Sequence, residues 1–263
     1  MFDPVLLAAL SGTTFSPRTL FASGEQGAWY DPSDFSTMFQ DDLGTTPVTA
    51  TGQAVGLIRD KSGRGNHASQ ATGTSRPVLQ QEATGQYYLA FDGTDDSLAT
   101  ASINFSATDK MSVFAGVRKL SDASAFGVPL ELGNRSGALA GSFTLHAPGS
   151  AGSTYWWASE GTVIANLNIA SGYAAPITNV LTGVGDISGD IARLRINGSV
   201  AGTTTTDQGT GNYGNYPLYI GRRNNTTLPF NGRLYSLIVR GAQSTPEQIE
   251  ATERWVNGKT GAY

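Results

Sequence analysis

Carboxylates are the first place to look for chemistry in this chain. Retaining hydrolysis of a glycosidic bond needs two of them about 5 Å apart, and one strand can meet that need with acidic residues at alternate positions. None of Glu25, Glu82, Glu131 or Glu160 has an acidic partner two residues on. Glu247, Glu250 and Glu253 recur every third residue in one helical stretch, which reads as a solvated face. A serine triad is no better supported. The two histidines, His67 and His146, stand in a Gly-Asn loop and at a strand end before Pro148, without a Gly-x-Ser-x-Gly elbow. They are too far apart for a zinc signature, and His146 reads as a structural residue rather than a base. No catalytic residue is assigned, and the chain is expected not to be an enzyme.

Binding chemistry has more to work with. Asp92, Asp95 and Asp96 crowd one turn, and hard oxygen ligands on a loop suit calcium. The plainer reading, preferred here, is a turn made by Asp92-Gly93 with the carboxylates capping nearby amides. Calcium is the candidate ion, and no other cofactor is indicated. For glycans, aromatic faces stack on sugar C–H surfaces while Asn, Asp and Arg bond hydroxyls. Alternation along Tyr155-Trp156-Trp157 sends Tyr155 and Trp157 to one face and Trp156 to the other, one face being core and the other a platform. The loop Gly211–Tyr216 carries Tyr213 and Tyr216, and Arg222-Arg223-Asn224-Asn225 follows with further donors. Trp157, Tyr155, Tyr213, Tyr216, Arg222 and Asn224 are the candidate glycan-binding residues. The same residue types also serve sheet-edge packing and protein–protein contacts.

The elements that must position these residues are mostly strands. Tyr87–Phe91 alternates and ends in Asp92-Gly93, a hairpin signal. Met111–Val117 reads as a core strand, and Phe143–Leu145 and Tyr155–Trp157 follow. Ile177–Val184 precedes Ile191–Ile196, in which Ala192, Leu194 and Ile196 share the core face. Asn197-Gly198 supplies a type I′ turn into Ser199–Ala201. Pro217–Gly221 is a short strand, and Leu234, Leu237, Ile238 and Val239 mark a buried one. One helix closes the chain. Thr245 caps it, Pro246 sits at its first position, Gln248 completes a capping box, and Asn257-Gly258 ends it. Its residues Ile249, Thr252 and Val256, with Trp255 beside them, are spaced to face a sheet. No fixed-period repeat is present, which argues against a solenoid or propeller.

Composition fits this reading. The 263 residues are 39% hydrophobic and only 14% charged, with 33 glycines, as many short strands and turns require. A net charge of −4 and no Lys/Arg run disfavour nucleic acid and anionic membranes as partners. Without cysteine, neither disulfides nor thiolate metal sites contribute. The apolar run Val5–Leu10 is too short to span a bilayer and lacks a basic n-region, so synthesis in the cytoplasm without a signal peptide is expected. Residues 1–26 read as an N-terminal arm, with Val5–Leu10 as one helical turn, and residues 27–263 as the domain. The arm either docks on another chain or lies against its own domain or disordered.

Leu89-Ala90-Phe91-Asp92-Gly93-Thr94-Asp95-Asp96-Ser97-Leu98 resembles the "FDGxDDxL" strand pair of laminin G-like, concanavalin A-like jelly rolls. Met111–Val117, Arg195–Gly198, Leu218–Arg222, Phe230–Leu234 and the closing Thr245–Val256 helix match later strands and the helix in order. Trp29–Asp34 with Asp60–Asn66 resembles the opening of many bacterial and bacteriophage members, and the likeness covers roughly residues 27–258. The resemblance implies an all-β jelly-roll sandwich with a short N-terminal arm and one C-terminal helix. Family members often hold calcium at a sandwich rim. Gly27–Asp34 and Thr45–Val48 look like tailed-phage and prophage proteins. That likeness implies a virion protein of tail, fibre or surface, whose lectin-like domain binds host-surface glycan. It would contact other virion proteins through its arm and form a homo-oligomer, with a trimer favoured by the rotational symmetry of virion appendages. A purely architectural decoration or assembly protein of capsid or tail is the alternative, and a polysaccharide depolymerase ranks behind both.

Overall fold

Apolar residues at alternate positions, in short runs bounded by glycine-rich turns, form strands throughout the computed structural model, which describes residues 15–123, 126–135, 137–149, 153–163 and 167–263. The expected turn of helix at Val5–Leu10 lies outside the described residues. In chain order the strands begin with β1 (Gly27–Tyr30), β2 (Met38–Phe39), β3 (Leu57–Ile58), β4 (Ala68–Ser69), β5 (Val78–Gln81) and β6 (Tyr87–Asp92). Then come β7 (Leu98–Asn104), β8 (Lys110–Lys119), β9 (Leu130–Leu132), β10 (Phe143–His146), β11 (Tyr155–Ser159) and β12 (Leu167–Ala170). The last are β13 (Ile177–Asp186), β14 (Ile191–Ile196), β15 (Ser199–Thr204), β16 (Asn215–Ile220) and β17 (Asn231–Arg240), before the helix α1 (Pro246–Thr260).

Two antiparallel sheets result. One has the order β15-β14-β13-β8-β17-β6-β5, and the other β12-β11-β10-β9-β16-β7-β4-β3-β2. In the first sheet, β17 pairs along one side with β8. Its other side is divided: Asn231–Leu234 pairs with β6 and Leu237–Arg240 with β1. The sheets stack as the expected jelly-roll sandwich. Met111, Val113, Ala115 and Val117 of β8 and Ala192, Leu194 and Ile196 of β14 share one core with Phe143, Leu145, Trp157 and Leu218 of the second sheet. The core face expected for Ile191–Ile196 is the one observed. Asn197 and Gly198, with φ of 50° and 80°, make the left-handed turn between β14 and β15.

The hairpin expected at Asp92-Gly93 is not one. The turn forms, with Gly93 at φ 76°, but β6 belongs to the first sheet and β7 to the second. Side chains replace the ladder a hairpin would have used. Asp92 Oδ1 accepts the amides of Thr94 (2.7 Å) and Asp95 (3.3 Å), and Asp96 Oδ2 accepts that of Asp92 (3.0 Å).

The outer face of the first sheet is covered too. Phe114, Val180 and Ile238 pack there with Val256 of α1, and with Leu20 and Phe21 of a 3₁₀ turn, Pro17–Phe21. The described part of the expected arm, residues 15–26, is therefore built onto the sandwich, because burying Leu20 and Phe21 there removes them from water. The capping box at Thr245 and Gln248 is present in both directions. The helix runs beyond Asn257-Gly258 to Thr260 and ends at Gly261, in the left-handed region. Gly258 is accommodated because its position is open to solvent. Glu253, expected on a solvated face, is buried. Its carboxylate takes Arg195 Nε (2.8 Å) and Nη2 (3.0 Å), which ties α1 to β14.

The opening segments that carry part of the resemblance are structural clamps. The Asp60 carboxylate accepts the amides of Trp29 (2.9 Å), Ser62 (2.8 Å) and Asn66 (3.1 Å). Asp31 Oδ2 takes Lys61 Nζ (3.3 Å) and Lys259 Nζ (3.1 Å), joining the start of the domain to its closing helix. His67 Nδ1 accepts the amide of Asp60 (3.0 Å).

Candidate functional site

Alternation along the second sheet gives it an outward face with its own chemistry. Ala158 of β11, Thr144 of β10, Glu131 of β9 and Tyr219 of β16 stand side by side across four strands. At the neighbouring outward position of β10 and β11, His146 lies opposite Trp156. Phe126, ahead of β9, closes a three-ring cluster. Its ring centre is 5.3 Å from His146 and 5.1 Å from Trp156, which are 5.0 Å from each other.

A cavity of about 150 Å³ opens beside these rings, lined by Phe126, Arg135, His146, Trp156, Arg223 and Leu228. The two arginines reach it from loops after β9 and β16, and each is held by a buried glutamate. Arg135 gives Nε (2.8 Å) and Nη2 (2.6 Å) to Glu160 Oε2. Arg223 gives Nε to Glu131 Oε2 (2.8 Å), while Glu131 Oε1 takes the amide of Arg135 (3.2 Å). Arg223 Nη2 also lies 3.4 Å from His146 Nε2. Burial drives His146 down to about 3, with the positive charges of Arg223 and Arg135 adding to the effect, so its imidazole is neutral at ordinary pH. Burial raises Glu131 above the usual carboxylate range, against the pull of Arg223. Tyr219 is raised by burial and by the charge of Glu131.

The structure separates the candidate glycan-binding residues. Tyr155, Trp157 and Tyr213 are core residues and cannot meet a ligand. Trp157 lies against Gly183, where a Cβ would come within 2.6 Å of its ring, and its Nε1 donates to Val184 O (3.1 Å). Tyr213 fills the space left by Gly185, with its hydroxyl 2.5 Å from Ser159 Oγ. Tyr155 donates to Asn179 Oδ1 (2.8 Å). Tyr216 packs on the edge of the core and donates to Ala140 O (3.1 Å). Arg223, not Arg222, lines the cavity, and Asn224 is a left-handed turn residue at φ 49°.

What the sequence reading passed over is the cluster itself. Trp156 was available as the outward member of its triplet. Glu131, flanked by leucines on a strand, had to face away from the core. The meeting of Phe126, Arg135 and Arg223 with them comes from loops, and no local pattern signals it.

At the turn between β6 and β7, one carboxylate oxygen from each of Asp92, Asp95 and Asp96 lies within 4.8 Å of the others. Asp95 also accepts the Ser75 hydroxyl (2.7 Å). This all-oxygen set is the one that would hold calcium. Asp96 is raised to about 7, chiefly by burial and further by the charges of Asp92 and Asp95, against the Asp92 amide. Larger but more open hollows lie beside Ser16, Phe21 and Arg64 (about 490 Å³) and beside Tyr87 and Lys259 (about 390 Å³). Neither gathers an aromatic cluster.

Fold and family coincide. The model of the concanavalin A-like lectin/glucanases superfamily matches residues 92–250, more than half of the chain, and the chain belongs to that superfamily. No curated protein sequence matches it. Among solved structures, the binding domain of botulinum neurotoxin serotype D aligns with a TM-score of 0.55 at 13% identity, over 75% of this chain and 48% of that one. The receptor-binding domain of botulinum neurotoxin type G gives 0.54 at 12% identity, over 75% and 48%. The binding domain of Paraclostridial Mosquitocidal Protein 1 gives 0.56 at 15% identity, over 74% and 49%. The chain thus spans about half the length of these structures, and at such identities the likeness is one of fold.

Proposed function

We propose that this domain is a lectin that rests one sugar ring of a larger glycan against Trp156, at the cavity beside Phe126, His146 and Leu228. The observation that carries the reading is the aromatic cluster on an outward sheet face, beside a cavity with a few convergent polar groups. A cavity of about 150 Å³ is too small for more than one sugar residue. Glycan recognition also accompanies the fold among its structural neighbours: cell entry of botulinum neurotoxin type C depends on interaction with two ganglioside molecules.

The site binds without hydrolysing. Glu131 and Glu160 are buried, and each carboxylate is already engaged by a guanidinium, so neither is presented to a scissile bond. On the resemblance of Gly27–Asp34 and Thr45–Val48, the natural setting of the domain is the virion of a tailed phage. There it meets other virion proteins through its N-terminal segment, as a homotrimer that engages host-surface polysaccharide.

The test is binding of purified protein to host cells and their extracted surface polysaccharide, with light scattering to read copy number. Trp156→Ala is expected to weaken binding at least tenfold in protein that still unfolds cooperatively. Unchanged affinity would remove the site, and reducing ends released from the polysaccharide would make it an enzyme.

A further inference from the structure

Resting on that reading, the chemistry of the cavity wall selects among sugars. A guanidinium nitrogen can only donate, so in its contact with Arg223 the His146 Nε2 is the acceptor. That places the single ring proton on Nδ1, which is buried and has no partner among the described residues. Trp156 Nε1, another donor, is also buried without a partner, and neither of these two atoms is exposed to the cavity. Arg135 and Arg223 spend Nε and Nη2 on Glu160, Glu131 and His146, while Nη1 of each has no protein acceptor among the described residues. The six lining side chains therefore offer donors and no acceptor. The two Nη1 groups are the donors that a ligand in the cavity can reach, and a ligand that supplies an acceptor satisfies them.

Charge narrows the choice. The positive charges of Arg135 and Arg223 are matched by the negative charges of Glu160 and Glu131, so an anion gains no net counter-charge here. A neutral acceptor needs none. The rest of the wall is apolar, formed by Phe126, Leu228 and the Trp156 ring. A group with a neutral carbonyl at one end and a methyl at the other satisfies both halves. We infer that the cavity recognises an acetylated sugar, with the acetyl carbonyl accepting from Nη1 of Arg135 and Arg223 and its methyl against Phe126 and Leu228.

The acetyl group is carried as an amide in N-acetylated sugars or as an ester in O-acetylated ones, and the experiment separates the two. The full chain is applied to an array of bacterial surface polysaccharides. Each is printed in native form, after mild alkali to remove O-acetyl esters, and after de-N-acetylation. Loss of at least tenfold in affinity after one of the two treatments is expected, and that treatment names the linkage. Affinity retained after both would overturn the inference while leaving glycan binding intact, whereas no binding to any form would overturn the lectin reading as well. Arg223→Lys keeps the charge beside Glu131 and removes Nη1. It is expected to lower affinity for the acetylated form by about three- to tenfold, and an unchanged value would count against the carbonyl contact.

Discussion

Replacing Asp96 with Asn should make this protein more stable at neutral pH. The residue is only 7% exposed, and one carboxylate oxygen of Asp92 and one of Asp95 lie within 4.8 Å of its own. Burial, reinforced by those two charges, lifts it to about 7 from the ordinary 3.8. A carboxyl raised in the folded state binds its proton more tightly there than in the unfolded chain. Its contribution is therefore intact below about pH 4, declines as the pH rises towards 7, and is fully lost above that. A rise of about three units is worth at most about 4 kcal/mol at the plateau. Asn imitates the protonated acid and keeps an acceptor for the Asp92 amide. Urea unfolding from pH 4 to pH 8 should show wild type and Asp96→Asn alike at pH 4 and separated by about 2–4 kcal/mol at pH 8. The difference between the two proteins isolates Asp96 from acids whose values move the other way, such as Glu25, Asp34 and Glu82. Millimolar calcium at pH 8 should close part of the gap by stabilising wild type alone. Parallel curves at every pH would refute the argument, and a calcium effect of equal size in both proteins would remove the ion from this turn.

Three further outcomes follow from burial and pairing. Trp157→Ala should cost about 3–5 kcal/mol in denaturant unfolding, as expected of a core residue against Gly183. A loss of glycan binding at full stability would return Trp157 to the surface. Glu160→Ala strands the Arg135 guanidinium and should cost about 3–5 kcal/mol. Glu160→Gln, which keeps an acceptor, should cost less, and the two will be ranked by their urea midpoints. Leu20→Ala should cost about 2–5 kcal/mol if residues 15–26 belong to the sandwich, and a neutral result by calorimetry would restore them to a detached arm.

Strand identity was readable wherever the deciding pattern was local. Ala192, Leu194 and Ile196 announced their shared face, Asn197-Gly198 its turn, and Thr245 with Gln248 its cap, because each is settled within a few residues. The direction of Tyr155-Trp156-Trp157 was not. Alternation divides the triplet, but which half is core depends on Gly183 and Gly185 of β13, whose missing side chains make room for Trp157 and Tyr213. Glu253 misled for the same reason: like Glu131 and Glu160 it finds its arginine on another element, which helical spacing does not report. Asp92-Gly93 signalled a turn correctly, while the sheet joined by the next strand was set by distant partners. The family resemblance pointed to the fold because collinear short matches sum over the whole chain, whereas the cavity depends on loops that vary independently of it.

The position of β17 has a consequence for synthesis. It is the last of the described strands in chain order, yet it lies between β8 on one side and β6 and β1 on the other. Until residues 231–240 leave the ribosome, three earlier strands lack a hydrogen-bonding neighbour, and the apolar residues they carry have no finished core to enter. Completion of the sandwich is thus deferred until residues 231–240 have been made, with the exposed edges vulnerable to aggregation in the meantime. A product terminated upstream of Arg240 would lose a central strand, so shortening the chain from this end should abolish the domain rather than trim it.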